Sequence, residues 1–269
     1  MSGVSVEVDG GVAVVTLDRP DRRNAFTGVM GRALGEAYRT LDEDDATRVI
    51  VLTGAPPAFC AGADLAGGAD TFDAPAAEFT ASPINPSAFD LRKPVIAAMN
   101  GHAIGIGFTL AMQADIRIVA EDAKYAIPQV RRGVLPDAMS HWTVPHFAGL
   151  AAAADVLLTG RTFDGAEAVR LGLASRCLPS DEVLPAALEV ARDIAVNTAP
   201  MSVALSKRLL WQTARHGYGP ERVAALETEL HLRVMGKPDA AEGVRAYLDR
   251  RDPRWTSRLS IDWEEVSPE

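Results

Sequence analysis

The chain has 269 residues, 48% of them hydrophobic and 23% charged, the usual balance of a soluble globular protein large enough for a sizeable core. A formal net charge of −9 leaves no basic stripe for nucleic acid or an anionic membrane surface, so a polyanionic ligand would have to be met by local Arg and Lys. No stretch approaches the roughly 18–20 apolar residues of a membrane span, and the first fifteen residues lack the cationic and apolar segments of an export leader. The two cysteines, Cys60 and Cys177, form no CxxC and no His/Cys/Asp cluster has metal-ligand spacing. The expectation is a cytoplasmic protein with two reduced thiols, no metal, and no nucleic-acid or membrane partner.

In chain order, residues 4–17 (VSVEVDGGVAVVTL) carry two β-branched alternating runs around Asp9-Gly10-Gly11, which predicts a hairpin. A helix is predicted over 24–41 and closed by the acidic run 42–45. Residues 48–53 (RVIVLT) read as a buried strand. Residues 66–92 are rich in Ala, Pro, Gly and Asp without clear periodicity, and read as a mobile lid or pocket wall. Strands are predicted over 94–99, 115–119 and 125–127, with a short helix over 108–114. From about residue 150 the pattern turns helical: 151–158, 165–171, 180–197, 200–215, 220–235 and 238–250. Strands early and helices late, with a strand–strand–helix rhythm, argue for an α/β fold with a helical C-terminal part.

Two glycine-rich segments stand out. One is Phe59-Cys60-Ala61-Gly62-Ala63-Asp64-Leu65, directly after a buried strand. The other runs from Lys93-Pro94 to Asn100-Gly101-His102-Ala103-Ile104-Gly105-Ile106-Gly107, a strand entering a helix. Small residues let a backbone approach a ligand, and the free N–H groups of a helix start suit an anionic oxygen; two such donors meeting at one point would form an oxyanion hole.

These segments are similar to the two signature stretches of the crotonase (enoyl-CoA hydratase/isomerase) superfamily, in order and at the right separation. The resemblance continues through Pro128-Gln129-Val130-Arg131-Arg132-Gly133-Val134-Leu135-Pro136, through Leu158-Thr159-Gly160-Arg161-Thr162-Phe163 with the 166–173 stretch, and through 242–251. It implies a crotonase-type spiral of strand–strand–helix repeats over 1–197, followed by a helical trimerisation region over 198–269. It implies acyl-CoA thioesters as substrates, no cofactor beyond the CoA of the substrate, and a homotrimer or hexamer. The backbone N–H groups of Ala63 and Ile106 become the oxyanion donors. CoA contacts fall on Arg22, Ala25, Ala61, Asp64 and Leu65, with Tyr247 and Arg250 reaching in from a neighbouring subunit. Gly105 and Gln129 line the acyl site.

The departures matter equally. Hydratases of this family carry two glutamates that handle water, and here those positions hold Thr109 and Gln129, neither able to exchange a proton as a carboxylate does. Asp137 remains nearby, at a position resembling the acid/base of dienoyl-CoA isomerases and the nucleophile of chlorobenzoyl-CoA dehalogenases. Pro136-Asp137 before an apolar run also suits a helix N-cap. His141, one helical turn on, could share a face with Asp137. The sequence therefore points to an enoyl-CoA hydratase/isomerase-type enzyme with Asp137 as acid/base. A non-catalytic acyl-CoA binder and dehalogenase-like attack by Asp137 stand as alternatives.

Overall fold

A computed structural model describes residues 2–73 and 79–264. The opening hairpin pairs β1 (Val4–Asp9) antiparallel with β2 (Val12–Leu17), Val4 opposite Leu17 and Asp9 opposite Val12. Gly10 and Gly11 both take positive φ, as the two-residue turn of a right-twisted hairpin requires. α1 (Gly28–Glu43) follows, its N-terminus capped by the Thr27 hydroxyl, which accepts from the Met30 N–H.

Thereafter each turn of the chain contributes one strand to each of two sheets. β3 (Val49–Gly54), β5 (Val95–Met99), β7 (Ile116–Ala120) and β10 (Arg176–Leu178) extend the hairpin into a six-stranded sheet ordered β1-β2-β3-β5-β7-β10, parallel from β2 onward. β4 (Ala58–Cys60), β6 (His102–Ile104), β8 (Tyr125–Ala126) and β9 (Thr162–Phe163) form a four-stranded sheet in that order. This mixed α/β architecture, with strands alternating between the sheets, is the repeat expected from the sequence. The second-sheet strands have two or three residues each, too short to give a periodic signal, and only β8 was anticipated.

Helices fill the turns: α2 (Ile106–Ala111), α3 (Ser140–Thr159), α4 (Gly165–Arg170) and α5 (Ser180–Asn197). α5 packs across β3, β5 and β7, which is why these strands are buried on both faces and read as unbroken apolar runs. α3 begins eleven residues earlier than the sequence suggested. Pro145 and a kink at Gly149 (φ 75°) hide its first half, while burial of Ser140, Thr143 and Val144 holds that half in place. The C-terminal part is helical: α6 (Pro200–His216), α7 (Pro220–Val234), α8 (Pro238–Asp249) and α9 (Leu259–Asp262), the first three opening with proline at the position where its missing N–H costs nothing.

One expectation changes. Residues 74–78, the middle of the segment read as a lid, lie outside the described residues. Its later part is core: Ile84, Ala88, Phe89 and Leu91 are buried, and the Asn85 backbone lies so close to α1 that only a glycine fits at position 35. The apolar face of α7 (Val223, Leu226, Leu230, Val234) turns inward on α6, with Leu205 and Leu230 at its centre, so its amphipathicity is spent within the chain.

Candidate active site around Asp137

The first wall is the loop after the hairpin. Arg23 and Asn24 adopt left-handed backbone (φ 51° and 56°), a conformation asparagine tolerates better than most residues. The buried Asn24 side chain holds it there. Its Oδ1 accepts from the Arg19 N–H at 2.8 Å, and its Nδ2 donates to the carbonyls of Ala55 (2.8 Å) and Ala58 (2.7 Å). The loop thereby runs beside the first glycine-rich segment. Ala61 N–H donates to Arg23 O, Phe26 N–H to Gly62 O at 2.7 Å, and Asp64 N–H to Phe26 O at 2.9 Å. Arg22, Ala25, Ala61, Ala63, Asp64 and Leu65 are thus brought together. Arg19 closes the arrangement through an ion pair to Asp64 at 2.8 Å and a bond to Ala25 O. The Arg19 guanidinium, with the Ala66 N–H, holds the Asp64 carboxyl below the usual carboxylate range. The Ala63 N–H itself donates to no group among the described residues.

The second wall is the β6–α2 junction. Gly105 caps α2 with φ 56°, and its carbonyl accepts from Phe108 and Thr109. Ile106 is the first helical residue, so its N–H is one of the donors a helix start leaves over, and it too donates to nothing among the described residues. Gly107 lies against Cys60 O inside the contact distance of any added Cβ, which lets α2 dock on the end of β4.

The third wall carries the titratable groups. Thr109, fully buried on α2, donates from Oγ1 to Asp137 Oδ1 at 2.6 Å. Gln129 opens a single helical turn (Gln129–Arg132) and donates from Nε2 to the same oxygen at 3.3 Å. Its amide also faces the α carbon of Gly105. Burial pushes the Asp137 carboxyl above its ordinary range, and the bonds from Thr109 and Gln129 oppose that push. Cys60 is close enough to feel the Asp137 charge. Burial is the larger cause raising its thiol to about 12, so it is neutral rather than a nucleophilic thiolate. Two buried polar atoms here have no partner among the described residues: Gln129 Oε1 and Ser140 Oγ.

Asp137 does not cap α3 with its side chain. Only its backbone carbonyl serves the helix, accepting from the Ser140 N–H at 2.9 Å. Two left-handed residues, Ala138 (φ 48°) and Met139 (φ 60°), separate Asp137 from the helix and turn its carboxyl toward Thr109 and Gln129 instead. Bonds from Ala138 N–H to Ala81 O and from Gln113 Nε2 to Ala138 O hold that strained pair. His141 is exposed and makes no bond to Asp137, so the His–Asp pairing is not formed. Trp142 packs with Phe89 and Trp211.

Tyr247 and Arg250 are not brought to these walls by their own chain. They lie at the end of α8, Tyr247 83% exposed, and share no hydrogen bond or ion pair with the loops above. Two clefts lie elsewhere, one of about 870 Å³ among α6–α8 and one of about 480 Å³ beside Arg48. Asn24 and Arg19 escaped the sequence reading. The only signal for Asn24 was an asparagine in a turn, where left-handed backbone is affordable.

The family model for enoyl-CoA hydratase/isomerase matches residues 7–258. The chain belongs to that family. It is an enzyme of the enoyl-CoA hydratase/isomerase type, a lyase or isomerase that processes acyl-CoA. Among curated relatives it is 37% identical over 256 residues to a carnitinyl-CoA dehydratase from Proteus mirabilis, covering 93% of this chain and 96% of that one. It is 36% identical over 267 residues to the enoyl-CoA hydratase ACTT3 of Alternaria alternata, covering 95% and 88%. Among solved structures, a probable enoyl-CoA hydratase/isomerase from Mycobacterium abscessus superposes with a TM-score of 0.92 at 59% identity, covering 95% of this chain and 99% of that one. An enoyl-CoA hydratase from Mycobacterium tuberculosis superposes with a TM-score of 0.85 at 30% identity, covering 95% and 99%.

Proposed function

We propose that this enzyme polarises an acyl-CoA thioester between the Ala63 and Ile106 N–H groups and moves a proton with Asp137. The observation that carries the proposal is the convergence of Thr109 and Gln129 on Asp137 Oδ1 beside an unpaired helix-start donor, Thr109 Oγ1 lying 3.4 Å from Ile106 O. A thioester carbonyl oxygen held by two preorganised N–H groups becomes an enolate oxygen when a proton leaves Cα, and such donors stabilise it by about 3–4 kcal/mol each. Asp137 as carboxylate takes that proton; as neutral acid it returns one to another carbon or to a departing hydroxyl.

By the family pattern, Thr109 and Gln129 occupy the places of the two hydratase glutamates. Neither titrates, so a two-glutamate hydration is not the mechanism and Asp137 is the acid/base. Dehalogenase-like attack ranks behind this, because it calls for an aromatic pocket and aromatic residues make up only 6% of the chain. CoA is gripped by Arg22, Ala25, Ala61, Asp64 and Leu65, while Gly105 and Gln129 border the acyl group. No further cofactor is required. Residues 1–197 form the catalytic core and 198–269 the region through which a cytoplasmic trimer or hexamer assembles. Tyr247 and Arg250 complete a neighbour's CoA site.

Turnover of a panel of enoyl-, 3-hydroxyacyl- and dienoyl-CoA thioesters tests the reading. One thioester should be consumed at a rate that Asp137→Asn abolishes. Tight binding of every thioester with none consumed would instead identify a non-catalytic acyl-CoA binder.

A further inference from the structure

At the end of the large sheet where β3 and β5 begin, away from the loops that follow those strands into the acyl site, lies the cleft of about 480 Å³. Four of its lining residues are basic (Arg48, Arg92, Lys93, Arg258) and one, Asp45, is acidic, in a chain of net charge −9. Arg92 is spoken for: its Nε bonds Asp42 at 2.8 Å and its Nη1 the Leu259 carbonyl. The other three cations have no ion-paired carboxylate among the described residues. Lys93, buried, donates from Nζ to the carbonyls of Leu41 and Asp44. Arg48, half-buried, places Nη2 on the Thr198 carbonyl at 2.6 Å, and its Nε and Nη1 have no partner among the described residues. The Arg258 guanidinium makes no bond among the described residues.

Asp42, Asp44, Asp45 and Asp239 act on these cations by charge, but among the described residues none forms an ion pair with Arg48, Lys93 or Arg258. Asp239 is close enough for its charge to act on Arg48, but its oxygens are occupied by the N–H and hydroxyl groups of Thr256 and Ser257. Asp45, which feels both Lys93 and Arg258, is bonded to the Ser260 N–H and hydroxyl. Removing a guanidinium from water without an anionic partner is costly, and an anion entering the cleft would offset that cost. Guanidinium forks match the geometry of phosphate oxygens. The volume falls in the range of small-molecule sites and far exceeds a bare phosphate, and Trp255 contributes an aromatic surface to the lining.

We propose that this cleft is a second ligand site, separate from the acyl site, which holds the phosphate of a small phosphate ester between Arg48 and Arg258 with Lys93 behind them. Calorimetric titration of the full chain with inorganic phosphate, pyrophosphate and ADP tests it. ADP and pyrophosphate should bind and raise the melting temperature. Arg48→Gln and Arg258→Gln should each weaken that binding at least tenfold, while Arg22→Gln, in the CoA loop, leaves pyrophosphate binding unchanged. Arg48 lies outside the acyl site, so a folded Arg48→Gln variant should turn over acyl-CoA at the wild-type rate. Arg258 is exposed and its variant folds regardless. The proposal is overturned if none of the three probes binds, if both variants bind as wild type does, or if Arg22→Gln abolishes the binding. Inorganic phosphate binding as tightly as ADP would overturn the assignment to an ester.

Discussion

Thr109 Oγ1 and Asp137 Oδ1 lie 2.6 Å apart, a hydrogen bond that spans 28 residues and ties the first turn of α2 to the strained turn before α3. It favours the ionised carboxyl, against the burial that favours the neutral one. Thr109→Val keeps the shape and deletes the donor, so the Asp137 carboxyl should titrate still higher. In the pH profile of kcat/KM, the limb set by the catalytic base should move to higher pH. Stability should fall by about 1–3 kcal/mol, the penalty for leaving a buried polar group short of a partner. An unmoved limb would show that the carboxylate Thr109 touches is not the one titrating in catalysis.

Asp137→Asn should lower turnover by 10²–10⁴-fold, the usual worth of a general acid/base. The stability effect has a definite sign. Folding raises the Asp137 carboxyl above its ordinary value of about 3.9, so the protonated form is favoured in the folded state. That stabilising contribution is complete below about pH 4 and is lost as pH rises through the raised value. The asparagine variant cannot ionise. Its melting temperature should match wild type near pH 4 and exceed it once the pH has risen through the raised value, which thermal melts from acid to neutral pH would reveal. A constant loss of stability at all pH values would instead indicate a structural role.

Ala63→Pro removes one N–H and no existing hydrogen bond, because the Phe26–Ala63 bridge uses Gly62 O and the Asp64 N–H. Turnover should fall by 10²–10³-fold, the measured scale for one oxyanion donor, with circular dichroism unchanged. A folded variant at full activity would remove Ala63 from the oxyanion hole.

Asn24→Ala tests the scaffold behind that donor. The side chain satisfies the Arg19 N–H and the Ala55 and Ala58 carbonyls in a fully buried position, and alanine leaves all three without it. Denaturant unfolding should show a loss of about 2–4 kcal/mol. KM for acyl-CoA should rise more than kcat falls, since the loop that Asn24 pins carries Arg22 and Ala25 rather than the proton-transfer group.

The sequence made the sheet strands and long helices legible because their apolar positions repeat, and five motifs in order made the family legible. The contents of the site were harder. Asp137 could be placed near the chemistry, but its carboxyl was equally consistent with a helix cap until Ala138 and Met139 were found in left-handed backbone, which rotates it away from α3. No propensity announces two consecutive non-glycine residues at positive φ. The same limit hid the first half of α3, where Pro145 and Gly149 argue locally for a break that tertiary burial overrides. Residues 83–91 looked like loop because α1 meets Pro83 and Asn85 by backbone contact at Gly31 and Gly35, not through an apolar period in that segment.

The exposed end of α8 gives the last prediction. Val244, Tyr247 and Leu248 are 60%, 83% and 71% exposed, and spacings of three and four residues put Val244 beside both of the others on the helix surface. The inner face of α7 is already committed within the chain, so in the proposed trimer or hexamer these exposed side chains are the candidates for the contact between subunits. Leu248→Asp places a charge in that contact and should shift the protein toward monomer in light scattering, because desolvating an unpaired carboxylate outweighs one leucine's share of burial. Tyr247→Ala is the gentler companion. If Tyr247 borders a neighbour's CoA site, this variant keeps its assembly and its kcat but raises KM for acyl-CoA. The two readouts separate assembly from binding: a monomeric Leu248→Asp protein with unchanged KM would leave α8 a role in assembly and none in the site.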